Sequence, residues 1–397
     1  MRIMLVAGAR PNFVKVASLI DAIHAYNQTA ASPLDYLLVH TGQHYDEQMA
    51  QAFFTDLRLP RPQVHLAVGS ASHACQTADV MRRIEPVILR EQPDAVVVVG
   101  DVNSTLAGAL VAAKVAYPHA LPASDRTRPL LAHVEAGLRS FDRSMPEEIN
   151  RILTDVLSDL LFITEDSARE NLLREGIPGE RIHLVGNTMV DTLLKHRDRA
   201  RNSPLLVRLG LRKEHVSGCR NYAVVTLHRP GNVDHPDTLR EILAALVTIA
   251  KELPLFFPVH PRTLNRIRAL GLEDSFHSGP QPSGIHALAP LGYVDFLCLL
   301  SQAKLVLTDS GGLQEETSVL GIPCVTLRQN TERPVTLTHG TNVLAGISKE
   351  DIIHHAFRQL RRPVQPRKPP LWDGEAGKRT IEILARYLAE SALSARK

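Results

Sequence analysis

DSGGLQEE, residues 309–316, follows the apolar run Lys304-Leu-Val-Leu-Thr308 and opens a helical pattern that continues through Val319 and Leu320. A strand, a Gly-Gly turn and a helix start form a geometry that offers free backbone N–H groups to an anion. Gly311 and Gly312 let a phosphate approach without a Cβ in the way. Ser310 is placed to cap the helix with its hydroxyl. Glu316, about one turn further in, suits a carboxylate that accepts hydrogen bonds from ribose hydroxyls. Taken alone, the stretch also reads as a Ser-capped helix with two incidental glycines, because short Gly motifs are weak evidence.

Outward from this stretch, strands alternate with helices. Arg2–Ala7, Leu37–His40, the all-Val/Ala run Ala95–Val99, Leu130–Val134, Leu161–Thr164 and Ile182–Val185 read as strands, with helical periodicity between them. A polar segment near Arg197 to Ser203 reads as a linker, after which the pattern restarts with Tyr222–Leu227, Leu255–Val259, Ile285–Leu288, Leu305–Thr308 and Cys324–Leu327. The expected class is α/β, with two Rossmann-like domains facing each other across a cleft. The boundaries are 1–196 for the first domain and 204–370 for the second. RPVQPRKPP (362–370) is a stiff connector. A last helix, within 374–397, is expected to pack back on the first domain.

Composition narrows the classes. Hydrophobic residues make up 44% and charged residues 22% of 397 residues, as in ordinary globular proteins. A net charge of +3 gives no argument for nucleic acid or a membrane surface. The four cysteines lie far apart without CxxC spacing, so neither a disulfide framework nor a zinc site is expected, and Cys298 and Cys324 read as core residues. The first apolar run, Ile3 to Ala9, is too short for a signal peptide, and no run reaches about 18 apolar residues; a cytoplasmic protein is expected. The first turn, GARPN, is not a dinucleotide fingerprint, which disfavours NAD.

Ligands of open α/β sheets bind beyond the carboxyl ends of strands. Here those ends carry Arg10, Asp101, Glu135, His228, His260 and Asp309. Each has a plainer reading as a turn or cap residue; Asp101, for one, could cap the helix that starts near Ser104. Arg10 and Lys15 suit a pyrophosphate. Ser144-Met-Pro-Glu147 matches a capping box with Glu147 at N3, a role compatible with a carboxylate facing a ligand. Glu148 and Arg151 sit close enough on one helix to pair.

GARPNFVK (8–15), HTGQHYDEQM (40–49), VVGDVNSTLAGAL (98–110), HVEAGLRSFDRSMPEEINR (133–151), VGNTMVDTL (185–193), TLHRPGNVD (226–234), FPVHPRT (257–263), LTDSGGLQEE (307–316) and NTERPVTLTHGTN (330–342) together resemble the non-hydrolysing UDP-N-acetylglucosamine 2-epimerases. The resemblance spans nearly the whole chain and implies a GT-B type fold. It implies UDP-N-acetylglucosamine as substrate, UDP-N-acetylmannosamine as product and a 2-acetamidoglucal intermediate. By position it puts catalytic roles on Asp101, Glu135, Glu147 and His228. It puts nucleotide contacts on Arg10, Lys15, Phe296, Ser310, Gly311, Gly312, Glu316 and Arg333. A second, activating nucleotide-sugar site would involve Gln43, His44 and His260, although Asp79 stands where the family commonly has arginine. The resemblance implies a homodimer without metal or redox cofactor. Alternatives are a hydrolysing 2-epimerase, which would release free N-acetylmannosamine, and an epimerase of a related sugar such as a 2,3-diacetamido uronate. A GT-B glycosyltransferase leaves the carboxylates of HVEAGLR and PEEINR without a purpose, and a silent UDP-sugar binder predicts substituted acids.

Overall fold

The computed structural model describes residues 1–43, 53–121, 126–212, 219–273, 276–277, 283–363 and 367–394. The chain divides into two compact units, Met1–Thr192 with Pro370–Lys397, and Leu193–Pro369. Each is a doubly wound parallel sheet, so the α/β class and the two Rossmann-like domains are as the alternation of strands and helices predicts.

The first sheet has the order β3-β2-β1-β4-β5-β6-β7. Its strands are β1 (Arg2–Ala7), β2 (Asp35–His40), β3 (Val64–His65), β4 (Ala95–Val99), β5 (Leu130–Ala136), β6 (Leu160–Ile163) and β7 (Ile182–Leu184). All five residues of β4 are buried, which is why its sequence is Ala and Val throughout: a central parallel strand is covered on both faces. Met4, Val6, Val39, Val96 and Val98 share a core with Ile84 and Ile88 of the helix His73–Glu91 and with Ala109 and Ala112 of the helix Asn103–Lys114.

The helix Ala376–Ser394 belongs to this unit and packs on the helix Arg10–Asn27. Asp191 fixes its start. The carboxylate accepts from the N–H groups of Ala376 (3.2 Å) and Gly377 (2.7 Å) and from the Ser18 hydroxyl (2.7 Å). Nearby, the fully buried Trp372 donates its indole N–H to the carbonyl of Thr164 at 3.0 Å.

The second sheet has the order β10-β11-β9-β8-β12-β13-β14. Its strands are β8 (Ala223–Thr226), β9 (Leu255–Pro258), β10 (Phe276–His277), β11 (Ile285–Leu288), β12 (Leu305–Thr308), β13 (Cys324–Thr326) and β14 (Asn342–Leu344). Leu239, Ile242 and Leu246 of the helix Pro236–Ala250, with Ile352 and Ala356 of the helix Lys349–Arg361, fill one face. Cys298 and Cys324 are core residues, and all four cysteines are unbridged.

The winding direction changes between β1 and β4 in the first sheet and between β8 and β12 in the second. Loops leave a reversal point in opposite directions and open a crevice at the strand ends. Val6 registers with Val98, and Thr226 with Thr308. Residues just beyond those pairs are therefore brought side by side: Gly8 to Lys15 with Gly100 and Asp101, and His228 with Asp309.

Candidate active site

At the first reversal point, Asn12 ties two strand ends together. Its Oδ1 accepts from Gly8 N–H (3.1 Å) and Ala9 N–H (2.8 Å), and its Nδ2 donates to the Val99 carbonyl (2.9 Å). Lys15, one turn further along the helix that begins at Arg10, is buried with Nζ 2.5 Å from Oε2 of the equally buried Glu135. Gly100 makes room for that ammonium. A Cβ there would lie 2.8 Å from Lys15 Nζ, and its φ of +67° favours glycine.

Glu135 itself has φ +73°, at a register shift between Val134 and Ala136 where β5 pairs with β6. A bulge at a strand end re-aims a side chain, and positive φ in a non-glycine residue costs of order 1–3 kcal/mol that the surroundings must supply.

The neighbouring cluster belongs to the helix Pro146–Leu157. Arg151 donates Nη1 to Asp101 Oδ2 and Nη2 to Glu148 Oε2, both at 2.6 Å. Glu148 also accepts from the N–H groups of Ser140 and Phe141, each at 2.9 Å. Burial pushes the Glu148 carboxyl up, but these bonds and Arg151 outweigh it and hold it below the usual range. The expected Glu148–Arg151 pair is therefore present.

Two expected caps are absent. The helix begins after Met145 without a side-chain cap. Ser144 instead gives its N–H (3.0 Å) and its hydroxyl (2.6 Å) to Asp142 Oδ1, so the capping box with Glu147 does not form. Asp101 does not cap the helix Asn103–Lys114, whose N-cap is Val102; Arg151 takes its carboxylate.

At the second reversal point Asp309 is fully buried. It accepts from the N–H groups of His228 (3.1 Å) and Arg229 (2.9 Å) and from Asn232 Nδ2 (3.2 Å), and it lies 3.0 Å from His228 Nδ1. Burial pushes its carboxyl up; the charge and hydrogen bonds of His228 with the Arg229 N–H more than offset this and lower it. The contact with Asp309 orients the ring of the half-exposed His228.

Ser310 is the N-cap of the helix Gly311–Leu320, but its side chain makes no cap bond, contrary to the sequence expectation. The N–H of Ser310 is taken instead by Thr308 Oγ1 at 2.9 Å. A Cβ on Gly311 would press on Glu332 Oε1 and lie 2.7 Å from Arg333 Nη1. Arg333 Nε meets Glu315 Oε1 at 2.9 Å and its Nη1 meets Glu332 Oε1 at 2.6 Å. Glu332 also meets Arg328 at 2.8 Å and Arg229 at 3.3 Å. The guanidiniums of Arg229, Arg328 and Arg333 thus gather beside a helix N-terminus, whose dipole favours an anion.

Glu316, buried in the same helix, has its carboxyl pushed up to about 8 by burial and by Glu315. Phe296 is half-buried on the helix Tyr293–Ser301.

The remaining sequence candidates fall in both units. Gln43 is buried in the first unit, its Oε1 accepting from Ser104 Oγ at 2.8 Å. His44 lies outside the described residues. His260 belongs to the second unit and caps the helix Pro261–Ala269, its Nδ1 accepting from Arg262 N–H at 3.2 Å. Asp79 pairs with Arg82 at 2.9 Å on the surface. Sequence reasoning missed the Lys15–Glu135 and His228–Asp309 pairings, although it had marked both ends of each. Among the described residues no group of three or more His, Cys, Asp or Glu could hold a metal ion, and no helix is long and apolar enough to cross a membrane.

Known proteins match this chain over nearly its whole length. The family model described as UDP-N-acetylglucosamine 2-epimerase matches residues 27–385. A UDP-N-acetylglucosamine 2-epimerase of Methanocaldococcus jannaschii is 40% identical over 97% of this chain and 99% of its own length. A UDP-2,3-diacetamido-2,3-dideoxy-D-glucuronate 2-epimerase of Pseudomonas aeruginosa is 39% identical over 97% of this chain and all (100%) of its own. The crystal structure of the M. jannaschii UDP-GlcNAc 2-epimerase in complex with UDP-GlcNAc and UDP has a TM-score of 0.83 and 39% identity, covering 97% of this chain and 100% of that one.

Proposed function

The chain belongs to the UDP-N-acetylglucosamine 2-epimerase family and is an isomerase, and on that premise we propose that it interconverts UDP-N-acetylglucosamine and UDP-N-acetylmannosamine. The observation that carries this reading is Glu135, held in a left-handed backbone conformation against Lys15 beside the Asp101–Arg151 pair. A carboxylate takes the C2 proton, the C2–H electron pair forms C1=C2, and UDP leaves with the C1–O pair. The resulting 2-acetamidoglucal then accepts a proton on the opposite face at C2 while UDP re-adds at C1. Inversion needs acid–base groups on both faces of the sugar, which accounts for three carboxylates, Asp101, Glu135 and Glu147.

His228, oriented by Asp309, completes the set. Gly311, Gly312, Ser310 and Arg333 hold the diphosphate, Glu316 the ribose and Phe296 the base, with Arg10 and Lys15 adding positive charge for the departing UDP. No metal or redox cofactor takes part in this route. We further propose a cytoplasmic homodimer. The apolar stripe Ile149, Ile152, Leu153 and Val156 supports a dimer, since Leu153 and Val156 remain 44% and 54% exposed. A second nucleotide-sugar site involving Gln43, His44 and His260 is part of the same reading, weakened by Asp79.

Proton NMR of the purified protein with UDP-N-acetylglucosamine in D₂O tests the proposal. UDP-N-acetylmannosamine deuterated at C2 is the expected product. Free N-acetylmannosamine with UDP would instead identify a hydrolysing enzyme. No turnover and no exchange at C2 would exclude this sugar and favour the diacetamido uronate, which the P. aeruginosa relative makes the second candidate.

Gly311→Ala should weaken UDP binding by about tenfold to a hundredfold, the scale of a lost charge-assisted hydrogen bond. The new methyl group displaces Arg333 and blocks the helix N-terminus. Calorimetric titration with UDP measures it, and an unchanged affinity would remove the diphosphate from this position.

A further inference from the structure

Behind the Lys15–Glu135 pair lies a second buried layer of charge that the proposed chemistry does not use. Asp155, on the helix Pro146–Leu157, is completely buried. Its Oδ1 meets His133 Nδ1 at 2.6 Å, and its Oδ2 accepts from Gly137 N–H at 3.0 Å and from Arg139 Nη2 at 2.8 Å. His133, also fully buried, meets the Gly100 carbonyl through Nε2 at 2.7 Å. A carboxylate and a carbonyl oxygen are both acceptors, so the ring bridges two acceptors, one at each nitrogen. Arg139 is balanced in turn by Glu175 at 2.6 Å. Asp155, His133 and Arg139 thus form a buried hydrogen-bonded group whose outer end reaches the surface at the exposed Glu175.

What this group touches gives it a role. Gly137 (φ +78°) is the second left-handed residue of the bulge whose first is Glu135. The Gly137 N–H ends on Asp155. Gly100 precedes Asp101, and its carbonyl ends on His133. One aspartate therefore fixes the turn bearing Glu135 directly and the turn bearing Asp101 through a single imidazole ring. A strained backbone persists only when its surroundings over-determine it.

We propose that Asp155 and His133 form a positioning dyad that sets Glu135 and Asp101 relative to each other for proton transfer at the sugar. The inference rests on the catalytic role proposed for Glu135. Asp155 and His133 touch neither substrate nor reacting atoms; they act through the two turns. Asp155→Asn replaces the carboxylate that holds both the His133 ring and the Gly137 N–H with an amide that has a single acceptor oxygen.

The test is steady-state kinetics on full-length Asp155→Asn, His133→Gln and His133→Ala. Glu135→Gln is run beside them, kcat is expressed per UDP-binding molecule, and only variants whose near- and far-ultraviolet circular dichroism matches the wild type are compared, so that protein with an unfolded first unit does not count. Asp155→Asn and His133→Ala should lower kcat about 10²-fold, as expected for a small displacement of reacting groups, with KM and UDP affinity unchanged. His133→Gln reaches the Gly100 carbonyl from the Nε2 position and should recover part of that loss. Wild-type kcat per UDP-binding molecule in Asp155→Asn and His133→Ala, with Glu135→Gln inactive, would overturn the dyad and leave these residues structural. Should Asp155→Asn yield no folded protein, the His133→Ala and His133→Gln pair decides alone, and equal kcat in the two variants overturns the proposal. An active Glu135→Gln would instead overturn the role of Glu135 itself.

Discussion

Glu135→Gln is expected to reduce turnover by about 10³-fold, within the range assigned to loss of an acid–base group. The substitution keeps the size of the side chain and an oxygen for Lys15, and Gln tolerates the bulge as well as Glu does. What it removes is the charge and the ability to exchange a proton. Lys15 is buried, and breaking a buried pair by removing one partner costs about 3–5 kcal/mol. The retained amide oxygen offsets part of this, so some loss of thermal stability should accompany the loss of rate. UDP affinity should persist, because the Gly311 helix and Arg333 belong to the other unit. Deuterium incorporation at C2 is the most direct readout, since it reports proton transfer even when product does not accumulate. Exchange at the wild-type rate would take Glu135 out of the chemistry.

Glu316→Gln should have opposite effects on stability and binding. The folded carboxyl is pushed up to about 8 by burial and by Glu315, from an ordinary value of 4.5. Below 4.5 both folded and unfolded chains hold the proton. Between 4.5 and about 8 only the folded chain holds it, so this residue's contribution to stability falls as pH rises through that window and stays low above it. Gln has no proton to lose and escapes the penalty. The variant should therefore be more stable than the wild type at alkaline pH, by on the order of a few kcal/mol, and the two should converge in melting temperature towards pH 4.5. All other titrating groups are common to both proteins and cancel in the difference.

Binding should move the other way. Ribose hydroxyls donate best to an ionised carboxylate, so UDP binding below pH 8 should release a proton from Glu316, and wild-type affinity should rise with pH towards that value. The variant should bind UDP about tenfold to a hundredfold more weakly and without that proton release. Calorimetry in buffers of different ionisation enthalpy counts the protons. Melting curves that stay parallel at every pH would refute the buried, protonated state.

The sequence conveyed the central strands clearly because burial on both faces forces them to be apolar throughout, as in Ala95–Val99. It also marked the polar strand ends, because a charged residue directly after such a run is conspicuous. It missed β3, β10 and β14, edge strands of two or three residues too short for any periodicity. It misplaced the cap of the helix Pro146–Leu157 because Asp142, two residues before Ser144, competes for the serine in a local turn. The left-handed conformation of Glu135 was not legible either; the only signal was Gly137 just after a strand, which marks a bulge without saying which residue bears the strain. His133 and Asp155 are 22 positions apart, and nothing local announces that they meet.

Asp191 and the helix it caps have a consequence for biosynthesis. Residues 193–369 form one uninterrupted segment, whereas the unit around β1 needs residues from both ends of the chain. On the ribosome the unit started first is thus finished last. Its nascent strands must wait, partly uncovered, until Trp372 and the terminal helix emerge to close over Thr164 and Ser18. Growing chains usually mature from the N-terminus onward; here the inserted unit should reach its native state earlier, and the first unit stays incomplete for the longest interval.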